Sequence, residues 1–120
     1  MNAMKVNSNG APSIYDDQLD SKEIIALNHA AYEIRKQATR IISMNRWGHI
    51  GGSYSAAEIL AVLYGKAANV PLSDPASEFR DRVVLSKAHT SPALYAALYH
   101  YGYLPEEALY TYAQIGGLDG

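Results

Sequence analysis

The chain has 120 residues, of which 48% are hydrophobic, 18% charged and 10% aromatic, a length that suits one small domain. Ten Lys and Arg against twelve Asp and Glu give a formal charge of −2, whereas a dedicated nucleic-acid binder carries a basic excess. Cysteine is absent, so disulfides, Cys-ligated zinc, iron–sulfur clusters and thiol nucleophiles are excluded together.

No apolar run approaches the roughly 20 residues that span a bilayer, and Met1 to Pro12 lack the layout of a secretory signal. The expectation is a cytoplasmic protein that binds neither membrane nor nucleic acid. Met1 to Ile14 are rich in Asn, Ser, Gly and Ala, with little to anchor them, so residues 1–20 read as a flexible arm and 21–120 as the folded part.

Ile24, Leu27, Ala31, Ile34, Ala38 and Ile41 recur alternately three and four apart, which puts them on one helical face. Ile25 and Ile42 widen that face beyond a coiled-coil seam. Asp20 and Glu23 suit a capping box, so a helix is predicted from Ser21 to about Met44. A loop, Asn45-Arg46-Trp47-Gly48-His49-Ile50-Gly51-Gly52, follows, and its glycines imply close approaches or unusual backbone angles. Ser55 and Glu58 suggest a second capping box opening a short, largely buried helix that ends near Tyr64-Gly65. Pro71 and Pro75 mark a surface loop.

Val83-Val84-Leu85-Ser86 reads as a buried strand of a parallel sheet, with Arg80, Asp81 and Arg82 at its mouth, solvated or paired as ions. Ser91 can cap a helix that has Pro92 at its first position and continues through Tyr99, with Gly102 as its stop. A last helix is predicted from Glu106 to about Gln114, closed by Gly116-Gly117. The fold class is therefore α/β and mostly helical, with a parallel sheet left incomplete by a single strand.

Chemistry concentrates at two places. His49, between Gly48 and Ile50, is positioned either to donate to a substrate oxygen or move a proton, or simply to bond the backbone as a loop histidine. His89, with Lys87 and Ser91, lies where a strand end meets a helix N-terminus, a place suited to an anion; the alternative is a histidine satisfying local carbonyls. His29 and His100 have no second ligand at metal-binding spacing and read as surface or packing residues. Ten tyrosines stand against one phenylalanine, and Tyr95, Tyr99, Tyr103, Tyr110 and Tyr112 crowd the last third, as half-buried helix residues or as interface aromatics.

The order Gly48-His49-Ile50-Gly51-Gly52-Ser53, Ser55 to Leu60, Arg80 to His89, and Pro92-Ala93-Leu94-Tyr95 resembles the start of transketolase, in particular the N-terminal subunit of its split form, across roughly Ser21 to Gly120. The chain departs from the family pattern at Ile50, where proline is common, and at Ala88, where glycine is. The resemblance implies a partial thiamine diphosphate-binding domain over 21–120 and membership of an enzyme of carbohydrate metabolism, the pentose phosphate pathway. That enzyme moves a two-carbon ketol unit between a ketose phosphate and an aldose phosphate. It implies His49 as a catalytic residue toward sugar oxygens, and His89 and, more loosely, Lys87 as cofactor-binding residues. It also implies thiamine diphosphate with Mg²⁺ or Ca²⁺, the metal ligands lying outside this chain, and a C-terminal transketolase chain or domain as partner in a homo- or hetero-oligomer. Such a piece is expected to be inactive alone. Two alternatives remain: a deoxyxylulose-phosphate synthase-like enzyme, and a non-catalytic helical interaction module derived from the family.

Overall fold

The computed structural model describes residues 19–120, so the predicted arm at 1–20 lies, except for Leu19 and Asp20, outside the described residues. Helix α1 runs Ser21–Asn45 and begins as the sequence predicts. Asp20 Oδ1 accepts from the Glu23 N–H at 2.8 Å, and Glu23 Oε2 accepts from the Asp20 N–H at 3.0 Å, which satisfies two otherwise orphaned donors. Its end is set without glycine: Arg46 takes the left-handed conformation at φ 52°, and the Asn45 amide donates to the Ile41 carbonyl at 2.9 Å.

The predicted face of α1 is the buried one along its middle and end, through Ala31, Ile34, Ala38 and Ile41. Its first turns are different, with Ile24 and Ile25 exposed at 46% and 67%. Helix α2, Ile50–Val62, and helix α3, Ser91–His100, both pack on α1 and on each other. The contact is made mostly by alanines, Ala30, Ala57, Ala61, Ala93, Ala96 and Ala97 among them. Small side chains let the helices lie close, and Ile34, Ile41 and Leu60 fill what remains.

Four expectations are corrected. First, the capping box at Ser55 and Glu58 does not form, because α2 starts five residues earlier at Ile50. Ser55 Oγ donates instead to the Gly52 carbonyl at 2.9 Å, and Glu58 pairs with Arg35. Second, Val83 to Ser86 form no regular element, with a bend at Ser86, and there is no strand or parallel sheet among the described residues. A strand exists only through hydrogen bonds to a neighbour, and no strand among the described residues lies alongside. Third, Thr90 rather than Ser91 occupies the N-cap of α3, with no side-chain cap bond; Ser91 is already helical, and its Oγ meets Tyr112 Oη at 3.2 Å. Fourth, the last helix, α4, is only Glu106–Leu109, and the chain goes on as turns. Gly116 does turn the backbone there, at φ 79°.

The tyrosines are mostly half-buried, and their hydroxyls fasten neighbouring segments. Tyr101 Oη donates to the Ala61 carbonyl at 2.9 Å, tying α3 to α2, and Tyr95 Oη donates to the Asp119 carbonyl at 3.0 Å. Tyr112 is 2% exposed and Tyr110 lies at the surface. This is the amphipathic use of tyrosine, ring inward and hydroxyl satisfied.

Candidate functional site

The glycine-rich loop and the Ala88–Thr90 turn are 40 residues apart in sequence, counted from His49 to His89, and adjacent in space. His49 is the N-cap residue of α2, held extended at φ −109° and ψ 113°, and its side chain makes no cap bond. Gly48 allows this turn in two ways: it sits at φ +129°, and a Cβ there would fall 2.8 Å from Ile42 Cγ1. On the other side, Ala88–Thr90 form one 3₁₀ turn leading directly into α3. That turn carries His89 up to His49, with ring centroids 5.4 Å apart and planes at 77°, an edge-on pair.

Both imidazoles are exposed, and neither makes a hydrogen bond to another of the described residues. Their ring nitrogens therefore remain available to a ligand. Lys87 is exposed on the same turn, its ammonium 3.5 Å from Ser55 Oγ on α2. The structure thus gathers all three predicted site residues, His49, His89 and Lys87, along one seam between α2 and the Ala88–Thr90 turn. Two imidazoles and an ammonium beside the N-terminal ends of α2 and α3 form a donor set suited to an anion such as a diphosphate.

Beneath this rim are two groups that sequence reasoning did not single out. Ser53 and Thr90 are fully buried, and neither hydroxyl oxygen has a partner among the described residues. An unpaired buried hydroxyl costs about 1–3 kcal/mol, so such groups call for a reason. Each directly follows a motif residue, Gly52 or His89. That adjacency is the only sequence signal that marks them.

The remaining candidates lie elsewhere. Arg80 donates to the Ala76 and Ser77 carbonyls, at 3.1 and 2.8 Å, while Asp81 Oδ2 accepts from the Asn69 N–H at 2.6 Å, so both bind backbone and order the loop. His29 and His100 face each other across a cleft between α1 and α3, their centroids 6.4 Å apart. Burial holds the His100 imidazole below its usual pKa, partly opposed by Glu33. Among the described residues no group of three His, Asp or Glu has the geometry to hold a metal ion.

The helical unit thus presents a donor set with the chemistry to take an anion at two helix starts. Comparison with known proteins makes the assignment specific: residues 26–118 match the model of the transketolase thiamine diphosphate-binding domain, and the chain belongs to that family. It is 46% identical over 91 residues to the 6-deoxy-6-sulfo-D-fructose transketolase subunit SqwG of Clostridium sp. (strain MSTE9), covering 76% of this chain and 33% of that protein. It is 34% identical over 84 residues to one subunit of the apulose-4-phosphate transketolase of Phocaeicola vulgatus, covering 70% of this chain and 30% of the relative. The transketolase of Pongo abelii is 36% identical over 102 residues, 84% of this chain but 16% of that protein. The chain thus spans a third or less of the curated relatives it matches here.

Proposed function

We propose that the chain contributes the first part of a thiamine diphosphate site in a transketolase that moves a two-carbon ketol unit between sugar phosphates. The observation that carries this reading is the edge-on approach of His49 and His89, 5.4 Å between centroids, inside the segment that matches the family's cofactor-binding domain. When bound, thiamine diphosphate supplies the electron sink for carbon–carbon cleavage. The residues of this chain do the holding. His89 donates to a diphosphate oxygen, assisted by the positive potential of Lys87 and the amides at the start of α3. His49, at the start of α2, donates to a sugar oxygen and passes a proton there as charge develops. A divalent ion, Mg²⁺ or Ca²⁺, would take its carboxylate ligands from residues other than these.

The reading includes a partner, a C-terminal transketolase chain or domain, and a cytoplasmic setting in carbohydrate metabolism. Relatives named as subunits support the partner. So do apolar side chains left open, with Phe79 and Val84 exposed at 89% and 83%. The test is ketol transfer between sugar phosphates with thiamine diphosphate and Mg²⁺, for the chain alone and for the chain continued by the remaining two-thirds of a relative such as SqwG and mixed with a C-terminal transketolase subunit. Activity is expected only in the completed mixture. His49→Ala should lower it by about 10²–10⁴-fold while leaving cofactor binding intact. Full activity of the isolated chain, or of the His49→Ala mixture, would contradict the assignment.

A further inference from the structure

Gly51 and Gly52 are neighbours in the first turn of α2 and differ in what surrounds them. A Cβ on Gly51 would meet nothing within 4 Å, whereas one on Gly52 would lie 3.0 Å from His89 Cδ2, 3.2 Å from Thr90 Oγ1 and 3.4 Å from His89 Nε2. Neither glycine has a positive φ, so Gly52 is not there for its backbone angle. Glycine weakens a helix, and at position 52 the compensation is the close approach of another segment. The atom on the inner side of that approach, Thr90 Oγ1, is buried and unpaired, so it is held by packing alone.

The geometry has a direct consequence for the two imidazoles. His49 is the N-cap residue and Gly52 follows three positions later, so the two sit one above the other on the helix. A ring seated on Gly52 therefore comes edge-on to the ring of His49. We propose that Gly52 and Thr90 are positioning residues: the bare Cα of Gly52 is the seat of the His89 imidazole, Thr90 fixes the turn behind it, and together they set the His49–His89 spacing. This rests on the reading of those histidines as the cofactor and substrate pair, but the spacing is measurable with no cofactor present.

The experiment is proton NMR of the imidazoles in the 120-residue chain, following the ring-to-ring nuclear Overhauser effect between His49 and His89. The unsubstituted chain and Gly51→Ala should both show it, and Gly52→Ala should lose it and shift the His89 resonances. Should Gly52→Ala fail to fold, the triple substitution Gly52→Ala, His89→Ala and Thr90→Ala should fold, because the atoms that crowd the new Cβ are gone. Retention of the effect in Gly52→Ala, its loss in Gly51→Ala, its absence from the unsubstituted chain, or an unfolded triple variant would each overturn the proposal. Failure of thiamine diphosphate to bind, with the Overhauser pattern as predicted, would count against the functional reading and leave the seat standing.

Discussion

Helix α1 and the segment from Ala68 to Lys87 face the same demand, a partner for every backbone group, and only the helix meets it by itself. Along α1 the bonds close within the helix, and its inner face covers itself with α2 and α3. From 68 to 87 the bonds are scattered turns and side-chain clasps: Asp74 N–H to the Pro71 carbonyl, Ser77 N–H to that of Asp74, and the two-way bond between Asn69 and Asp81. Apolar side chains there stay open, as Val84 does. A helix completes its hydrogen bonding alone, whereas an irregular run such as Val83–Leu85 depends on other segments for partners. Stability in this chain should therefore reside in the three-helix core and be nearly absent from the irregular segment.

Three substitutions probe that contrast. Ile34→Ala, at a fully buried position shared by the packed helices, should cost about 2–5 kcal/mol in urea unfolding, from lost burial and the cavity left behind. Asp20→Ala removes the N-cap of α1 and should cost about 0.5–2 kcal/mol by the same measurement. Val84→Thr, in the open segment, should change stability by no more than about 0.5 kcal/mol. A cost at Val84 comparable to that at Ile34 would mean that the irregular segment is packed in solution, and the contrast would fail.

The cap of α1 also carries a pH signature. The Lys66 ammonium, then the Asp20 N–H, hold the Glu23 carboxyl below its ordinary value of 4.5. A lowered carboxyl pKa stabilises the fold above the unfolded-state value, and that contribution disappears as the pH falls through the lower folded-state value. Glu23→Gln should therefore flatten the acid limb of a plot of urea midpoint against pH, leaving the neutral-to-alkaline part of the profile parallel to that of the unsubstituted chain. An unchanged acid limb would mean that the Lys66 and Asp20 contacts do not persist in solution.

What the sequence discloses follows the same division. The capping pair Asp20 and Glu23, the apolar spacing along the middle and end of α1, and Pro92 in the first turn of α3 act locally, and all are legible. The start of α2 is misread because Gly51 and Gly52 look like loop; in the fold, Gly52 is helical and makes room for His89. Val83–Ser86 is misread because β-branched residues announce a strand without stating what pairs with it. The site is legible as two separate places, His49 by its glycines and His89 with Lys87 by their position before a helix. Their convergence is not, since a packing of α2 against a distant turn leaves no periodic trace. The unpaired hydroxyls of Ser53 and Thr90 likewise emerge only from burial.

The proposed site depends on His89 as a ligand for the cofactor's diphosphate. The most direct measurement is a calorimetric titration of thiamine diphosphate, with Mg²⁺ present, into the chain continued by the remaining two-thirds of a relative such as SqwG and mixed with a C-terminal transketolase subunit, using the unsubstituted sequence and His89→Ala. Saturable binding is expected, weakening at least about tenfold in the variant, the loss for one hydrogen bond to a charged group. Equal affinity in the two mixtures would contradict it.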